Sequence, residues 1–196
     1  MTGAQALASQ TVYFERRVNA NVFPVLPGEH LVIDDKDAAI GTLLGSCVAA
    51  CIRDRRTGIG GLNHFLLPGK ESNQSARYGV YAMEVLINEI LSRGATKPDL
   101  EAKVFGGAAV IERSKGGNIG ASNADFVKTY LQNEGIRVLS EDLGGSRGRR
   151  LYYFPGGGHA RVQYMNNAES RDAALTEQRL DKQLTTKPRS GTVELF

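Results

Sequence analysis

The chain contains no tryptophan, two cysteines and three histidines among its 196 residues. Two cysteines cannot form the disulfide framework that stabilises many small secreted domains, so an ordinary apolar core has to supply the stability. Hydrophobic residues make up 41% of the sequence, which is enough for such a core in a chain of this length. The composition therefore predicts one globular domain.

Long apolar runs are also missing from the sequence. No stretch of about 18 apolar residues is present, and the first residues, Met1-Thr-Gly-Ala-Gln-Ala6, lack a basic segment that leads into an apolar one. We therefore expect a cytoplasmic protein without membrane insertion. The net charge of +3 comes from interspersed acidic and basic residues, which is not the concentrated basic surface of a nucleic-acid binder. An acidic protein partner remains compatible with this charge.

Two short apolar runs flank a turn-type sequence near the middle of the N-terminal half. Residues 48–52 and 59–67 are too short for ordinary helices, and residues 54–58 between them read Asp-Arg-Arg-Thr-Gly. This pattern predicts a β-hairpin. If its turn is centred between positions 55 and 56, Cys47 and His64 face each other, with Cα atoms roughly 4.5–5.5 Å apart. A thiol nucleophile and its base require such proximity.

A buried cysteine is more often an inert small hydrophobic residue than a nucleophile. Against that interpretation, Gly45 and Ser46 immediately precede Cys47 and permit an irregular backbone. The amides of Ser46 and Cys47 are then candidates for stabilising an oxyanion. A zinc site of Cys47, Cys51 and His64 is disfavoured because thiols four residues apart on a strand are separated by roughly 13 Å and no fourth ligand is evident. We expect no metal and no other cofactor.

The order of predicted elements is strands, helix, strand, helix, strands. Helical spacing of apolar residues covers 77–92, and a capping-box-like start at Ser122 opens a second helix through Gln132. This order predicts an α/β fold in which a mixed sheet packs with at least two helices. We expect a flexible N-terminal extension over 1–20, the folded domain over 21–165, and a charged, exposed C-terminal arm over 166–196.

Four separated motifs, taken together, resemble the CheD family of chemoreceptor glutamine deamidases. They are Thr42-Leu-Leu-Gly-Ser-Cys-Val-Ala-Ala-Cys-Ile-Arg-Asp54, Gly60-Gly-Leu-Asn-His-Phe-Leu-Leu-Pro68, Arg77-Tyr-Gly-Val-Tyr-Ala-Met83 and Val104-Phe-Gly-Gly-Ala108. The resemblance spans about residues 22–165. It implies an α/β fold and a cysteine–histidine site that hydrolyses glutamine side chains on the cytoplasmic helices of chemotaxis receptors.

The resemblance assigns roles to individual residues. Cys47 matches the nucleophile of the family and His64 its base. The family places a threonine about six residues before the cysteine, where this sequence has Gly41, and we take Thr42 as the third catalytic residue. A threonine at this position is also compatible with a plain strand residue. Arg77 and Tyr78 are candidates for substrate contact, although core packing is an alternative for Tyr78 and an ordinary solvated charge for Arg77.

Three other functions remain open at this point. A CheD-like chain can act mainly as a binding partner of a CheC-type phosphatase or of receptors. Cys47 and Cys51 can serve a redox reaction instead of hydrolysis. A cysteine–histidine pair also fits a general thiol peptidase.

Overall fold

The structure is a computed structural model that describes residues 11–67, 73–110 and 119–186. Ten strands, three α-helices and one short 3-10 helix, Lys97–Asp99, make up this part of the chain. The strands are β1 Tyr13–Glu15, β2 Ala20–Pro24, β3 His30–Ile33, β4 Ala39–Leu44, β5 Val48–Asp54, β6 Gly60–Phe65, β7 Leu100–Gly106, β8 Arg137–Leu143, β9 Arg149–Phe154 and β10 His159–Tyr164. The α-helices are α1 Asn73–Ser92, α2 Ile119–Asn133 and α3 Asn167–Thr186.

The strands form two five-stranded mixed sheets. The first sheet has the order β1-β2-β4-β9-β10, and the second has the order β3-β6-β5-β7-β8. Strands β2 and β4 are parallel, as are β7 and β8, and the other neighbours are antiparallel. The predicted α/β class with at least two helices is confirmed, but the strands are divided between two sheets rather than gathered in one.

The second sheet is covered on both faces, and strand β5 in its centre shows how the two faces differ. Val48, Ala50 and Ile52 belong to the core shared with α1 and α2. Ala49 and Cys51 alternate with them and belong to the core between the two sheets. Because side chains alternate along a strand, Cys47 has the same parity as Ala49 and joins the inter-sheet core.

The predicted hairpin is the pair β5 and β6, with a register that differs from the expected one. His64 faces Ala49, so the turn is centred between positions 56 and 57, and Cys47 lies two residues before the partner of His64. Asp54 sets this turn, because its carboxylate accepts hydrogen bonds from the amides of Arg56 and Thr57. The facing pair was therefore wrong, but the shift preserves parity, so Cys47 and His64 still share a face.

Both ends of the described chain contain more structure than the sequence predicted. Strand β1 lies within the predicted N-terminal extension and pairs with β2. Helix α3 lies within the predicted C-terminal arm, and Ser170, Ala173, Ala174 and Glu177 are buried on one side of it. The expectation of an exposed arm is therefore wrong for α3. Residues 187–196 lie outside the described residues. Within the described residues, no helix has the length and apolar character needed to cross a membrane.

Candidate active site

Cys47 lies directly before β5, at the boundary between the two sheets. Its side chain is fully buried and forms no disulfide. His64 on β6 is also buried, and the Sγ atom of Cys47 and a ring nitrogen of His64 lie within 4.8 Å of each other. The hairpin thus brings together the thiol and the imidazole that the sequence singled out.

Thr42 on β4 connects the imidazole to the first sheet. Its Oγ1 lies 2.7 Å from the carbonyl oxygen of Val25 and 2.8 Å from Nδ1 of His64. A carbonyl only accepts hydrogen bonds, so the hydroxyl donates its single proton to Val25 and has to accept from His64. This arrangement places a proton on Nδ1 of His64, and the other ring nitrogen, Nε2, lies 3.8 Å from Oε1 of Glu177. Nε2 is buried and has no hydrogen-bond partner among the described residues.

Strand parity explains why Thr42, and not Gly41, contacts the imidazole. Ile40 and Leu44 of β4 belong to the inter-sheet core, and Thr42 has the same parity. Gly41 points to the opposite face, where an added Cβ would lie 2.6 Å from the side chain of Val22. The glycine therefore permits close packing behind the site.

Replacement of Thr42 by valine keeps the side-chain shape and removes the hydroxyl. We expect the catalytic rate to fall about 10- to 100-fold because the imidazole loses the partner that fixes its proton and its orientation. Steady-state kinetics checks this, with Thr42→Ser as the matched variant that retains the hydroxyl and should recover most of the rate. Equal losses in both variants would contradict an orienting role and indicate a packing defect.

The backbone amides of the two residues before Cys47 bind a carboxylate. The carboxylate belongs to Glu177, a residue that the sequence did not indicate. Oε1 of Glu177, from α3, accepts a hydrogen bond of 2.7 Å from the amide of Gly45. Oε2 accepts one of 2.7 Å from the amide of Ser46 and one of 2.9 Å from its hydroxyl. The amide of Ser46, predicted as an oxyanion donor, and that of Gly45 bind this carboxylate, and oxyanion binding by Ser46 stays a prediction. The predicted participation of the Cys47 amide stays a prediction.

The carbonyl groups of Gly45, Ser46 and Cys47 accept hydrogen bonds from other parts of the fold. Gly45 accepts a hydrogen bond from the amide of Ala108, and Cys47 accepts one from Gly107. Ser46 accepts one of 2.8 Å from the side chain of Asn123, which is fully buried on α2. Anchoring the carbonyls in this way directs the Gly45 and Ser46 amides toward the site. Gly106 of the Val104–Ala108 motif also packs against this segment, since a Cβ there would overlap the carbonyl oxygen of Cys47.

Asn123 also accepts a hydrogen bond of 2.9 Å from the amide of Leu67. Its replacement by alanine removes the partner of two part-buried backbone groups, and we expect a loss of about 1–3 kcal/mol in the free energy of unfolding. Denaturant unfolding measures this loss. Ala124→Gly on the same helix serves as a control for generic helix destabilisation. A stability loss no larger than that of the control would contradict the anchoring role.

The charge state of the site follows from burial and from Glu177. Burial raises the pKa of the Cys47 thiol well above its ordinary value, and the nearby carboxylates of Glu177 and Asp181 raise it further. Burial alone would also raise the pKa of Glu177, but its interactions with His64 and with the Gly45 and Ser46 groups outweigh burial and hold it below the ordinary value. The site in this conformation therefore contains an ionised carboxylate beside a protonated thiol.

Cys47, His64 and Glu177 also offer ligand atoms that could hold a metal ion, all within 4.8 Å of one another. This set differs from the zinc set weighed on sequence grounds, because Glu177 replaces Cys51. Both oxygens of Glu177 already accept amide hydrogen bonds, which compensate a buried carboxylate without a cation. The expectation of a metal-free site stays a prediction.

The other two histidines and the second cysteine of the chain lie outside this group. His30 pairs with Glu89 at 2.9 Å, and His159 stacks on Phe154 with ring centroids 4.4 Å apart. Cys51 is buried on β5, and burial raises the pKa of its thiol well above the ordinary value.

The two predicted substrate contacts lie on α1. Arg77 is exposed there, and Tyr78 is half-buried and packs against the helical core. The hydroxyl of Tyr78 and the side chain of Leu180 on α3 both approach Gly28, within 3.5 Å of the position a Cβ would take. Tyr78 therefore lies next to the surface on which α3 packs. Substrate contact by either residue stays a prediction.

The fold and the site define an α/β protein in which a buried cysteine, histidine and threonine meet where two mixed sheets pack together. The family model for CheD chemotactic sensory transduction matches residues 66–164. The chain belongs to the CheD family.

Relatives named "Probable chemoreceptor glutamine deamidase CheD" match most of the chain. The protein of Herminiimonas arsenicoxydans is 45% identical over 191 residues, which cover 94% of this chain and 94% of the relative. The protein of Methylobacillus flagellatus is 43% identical with the same coverage, and that of Sinorhizobium medicae is 45% identical over 88% of this chain and 94% of its own. Among solved structures, a Neisseria meningitidis protein of the DUF152 family is 13% identical, covers 66% of each chain and has a TM-score of 0.44.

Proposed function

We propose that this protein hydrolyses glutamine side chains on the cytoplasmic helices of chemotaxis receptors, giving glutamate and ammonia. The single observation that carries the chemistry is the hydrogen bond between Thr42 and Nδ1 of His64, because it makes Nε2 the ring nitrogen that would act as the base toward Cys47. Family membership and the names of the relatives support the receptor as substrate. The site of action would be the cytoplasm, where those helices are exposed.

In the first half of the reaction, Nε2 of His64 takes the proton of the Cys47 thiol, and the sulfur attacks the side-chain carbonyl carbon of glutamine. The amides of Gly45 and Ser46 would hold the negative oxygen of the tetrahedral intermediate. The C–N bond then breaks, and His64 returns its proton to the leaving nitrogen, which departs as ammonia. A thioester between Cys47 and the glutamyl side chain remains.

In the second half, His64 removes a proton from water, and the resulting hydroxide attacks the thioester carbonyl. The C–S bond breaks, Cys47 recovers its proton, and glutamate is released. The net reaction consumes one glutamine side chain and one water for each glutamate and ammonia. Each turnover gives the receptor one additional negative charge.

The test is to incubate the full-length protein with a purified cytoplasmic receptor fragment in water enriched in heavy oxygen. Peptide mass spectrometry should find glutamines converted to glutamate with one heavy oxygen, and ammonia should appear in equal amount. This result separates hydrolysis from redox use of the thiol. Intact peptide bonds in the fragment would separate the activity from that of a peptidase. No labelled glutamate in any receptor fragment would overturn the proposed function.

A further inference from the structure

Glu177 is an unusual residue to find inside a protein. Its side chain is 2% exposed, although glutamate is almost never fully buried without compensation. The compensation comes from Gly45 and Ser46, which are the two residues that precede Cys47. Its Oε1 also lies 3.8 Å from Nε2 of His64. The carboxylate therefore occupies the centre of the candidate active site.

A glutamate side chain is also the product of glutamine deamidation. It differs from the substrate only in having a carboxylate oxygen where glutamine has its amide nitrogen. A ligand atom of Glu177 lies within 4.8 Å of both the Cys47 and His64 ligand atoms, and the carboxylate binds the amides that would hold an oxyanion. The position of Glu177 is thus the position in which a newly formed product side chain would rest.

Helix α3 packs on the protein so that the side chain of Glu177 enters the candidate active site. Ser170, Ala173, Ala174 and Glu177 follow helical spacing and form the buried side of α3. The small residues of this stripe allow the helix to approach closely, and the hydroxyl of Ser170 accepts a hydrogen bond of 3.0 Å from the amide of Gly148. At the start of α3, Asn166 and Glu169 cap each other through two hydrogen bonds. The helix is anchored near its N-terminus, about two to three turns before Glu177.

We propose that α3 is an internal occupant of the substrate-binding site, with Glu177 in the place of the product glutamate. This proposal rests on the proposed deamidase function. While α3 is in place, a receptor glutamine cannot reach the Gly45 and Ser46 amides, and the glutamate carboxylate opposes ionisation of the Cys47 thiol. Turnover therefore requires α3 to move away from the site.

Glu177→Gln provides the decisive test, because it presents a carboxamide where the structure has a carboxylate. Cys47 should attack this carboxamide, release ammonia and form a thioester that water hydrolyses, so that the introduced glutamine becomes glutamate. Cleavage after Arg171 and Arg179 yields one peptide that contains position 177 and also Gln178. Conversion is expected at position 177 and not at Gln178. The double variant Cys47→Ala/Glu177→Gln should retain its glutamine.

The reaction within one molecule has its own kinetic signature. The fraction converted at a given time should not depend on protein concentration. A fraction that rises with concentration would show attack between molecules and overturn the internal position of α3. The absence of conversion in a preparation that deamidates receptor fragments would also overturn it, while leaving the proposed function intact.

Glu177→Ala tests the inhibitory consequence. Turnover of the receptor fragment should rise at least about tenfold, because a larger fraction of the protein then has α3 away from the active site. Alkylation of Cys47 by iodoacetamide should accelerate in parallel.

Asp172→Ala removes an exposed carboxylate from the same helix and is the matched control, expected to leave both rates unchanged. Equal rates in Glu177→Ala and the control would overturn the inhibitory role. Failure of every variant to deamidate receptor fragments would instead reject the proposed function.

Discussion

Replacement of Cys47 by alanine is expected to lower deamidation of receptor fragments by at least about 1,000-fold, the scale on which loss of a nucleophile acts. No other thiol can take its place, because Cys51 is buried on β5 four residues further along the chain. The loss of one sulfur atom from a tightly packed site changes the fold little, so thermal unfolding should show a folded protein. Ammonia release and peptide mass spectrometry measure the effect.

Cys51→Ala is the matched control for this experiment. It removes an equally buried thiol from β5, which Cys47 directly precedes, and from the same inter-sheet core. We expect its turnover to stay close to that of the wild type, with a small cost in stability from the lost packing. Turnover that survives in Cys47→Ala, or that disappears in Cys51→Ala, would contradict the assignment of Cys47 as the sole nucleophile and would favour a reaction that uses both thiols.

Replacement of His64 by glutamine should lower the rate by about 100- to 10,000-fold, the contribution typical of general acid–base catalysis. Glutamine can still form a hydrogen bond with Thr42, but its amide cannot accept the thiol proton and return it to ammonia. Both halves of the reaction depend on this group, so thioester formation and thioester hydrolysis should slow together. Single-turnover kinetics combined with the intact mass of the protein distinguishes the two halves.

His159→Gln is the corresponding control. His159 is the first residue of β10, directly after the glycine-rich turn, and its ring stacks on Phe154. We expect a change of less than about twofold in rate, as for most substitutions away from the reacting groups. If His64→Gln retained more than a tenth of the wild-type rate, the base would have to be sought elsewhere.

The hairpin of β5 and β6 shows which features of the site a strand pattern predicts and which it does not. Apolar runs and a turn-type sequence were sufficient to predict β5, β6 and the shared face of Cys47 and His64. The register was not predictable in the same way, because it depends on the Asp54 carboxylate accepting the amides of Arg56 and Thr57. Turn geometry of this kind shifted the register by two residues, which leaves the same side chains on each face of the hairpin.

Thr42 shows the value of combining a motif with strand parity. The family motif has its threonine at the position of Gly41, so Thr42, one residue later, could be either the third catalytic residue or a plain strand residue. Alternation along β4 directs Thr42 to the inter-sheet core, and the structure places its hydroxyl 2.8 Å from Nδ1 of His64. Asn123 had no comparable signal, because an asparagine in a predicted helix is ordinary until the loop that it anchors is known.

The sequence by itself determined the α/β class, the cysteine and histidine of the candidate site, and the polar character of the C-terminal segment. These depend on local periodicity and on motifs within single elements. Only the tertiary structure decided that the strands form two sheets and that Glu177 lies beside Cys47. The physical reason is that a charged residue on a polar helix is expected from sequence to be exposed to solvent. Its burial depends on amides of Gly45 and Ser46, which are distant in the chain and become available only when the fold brings them together.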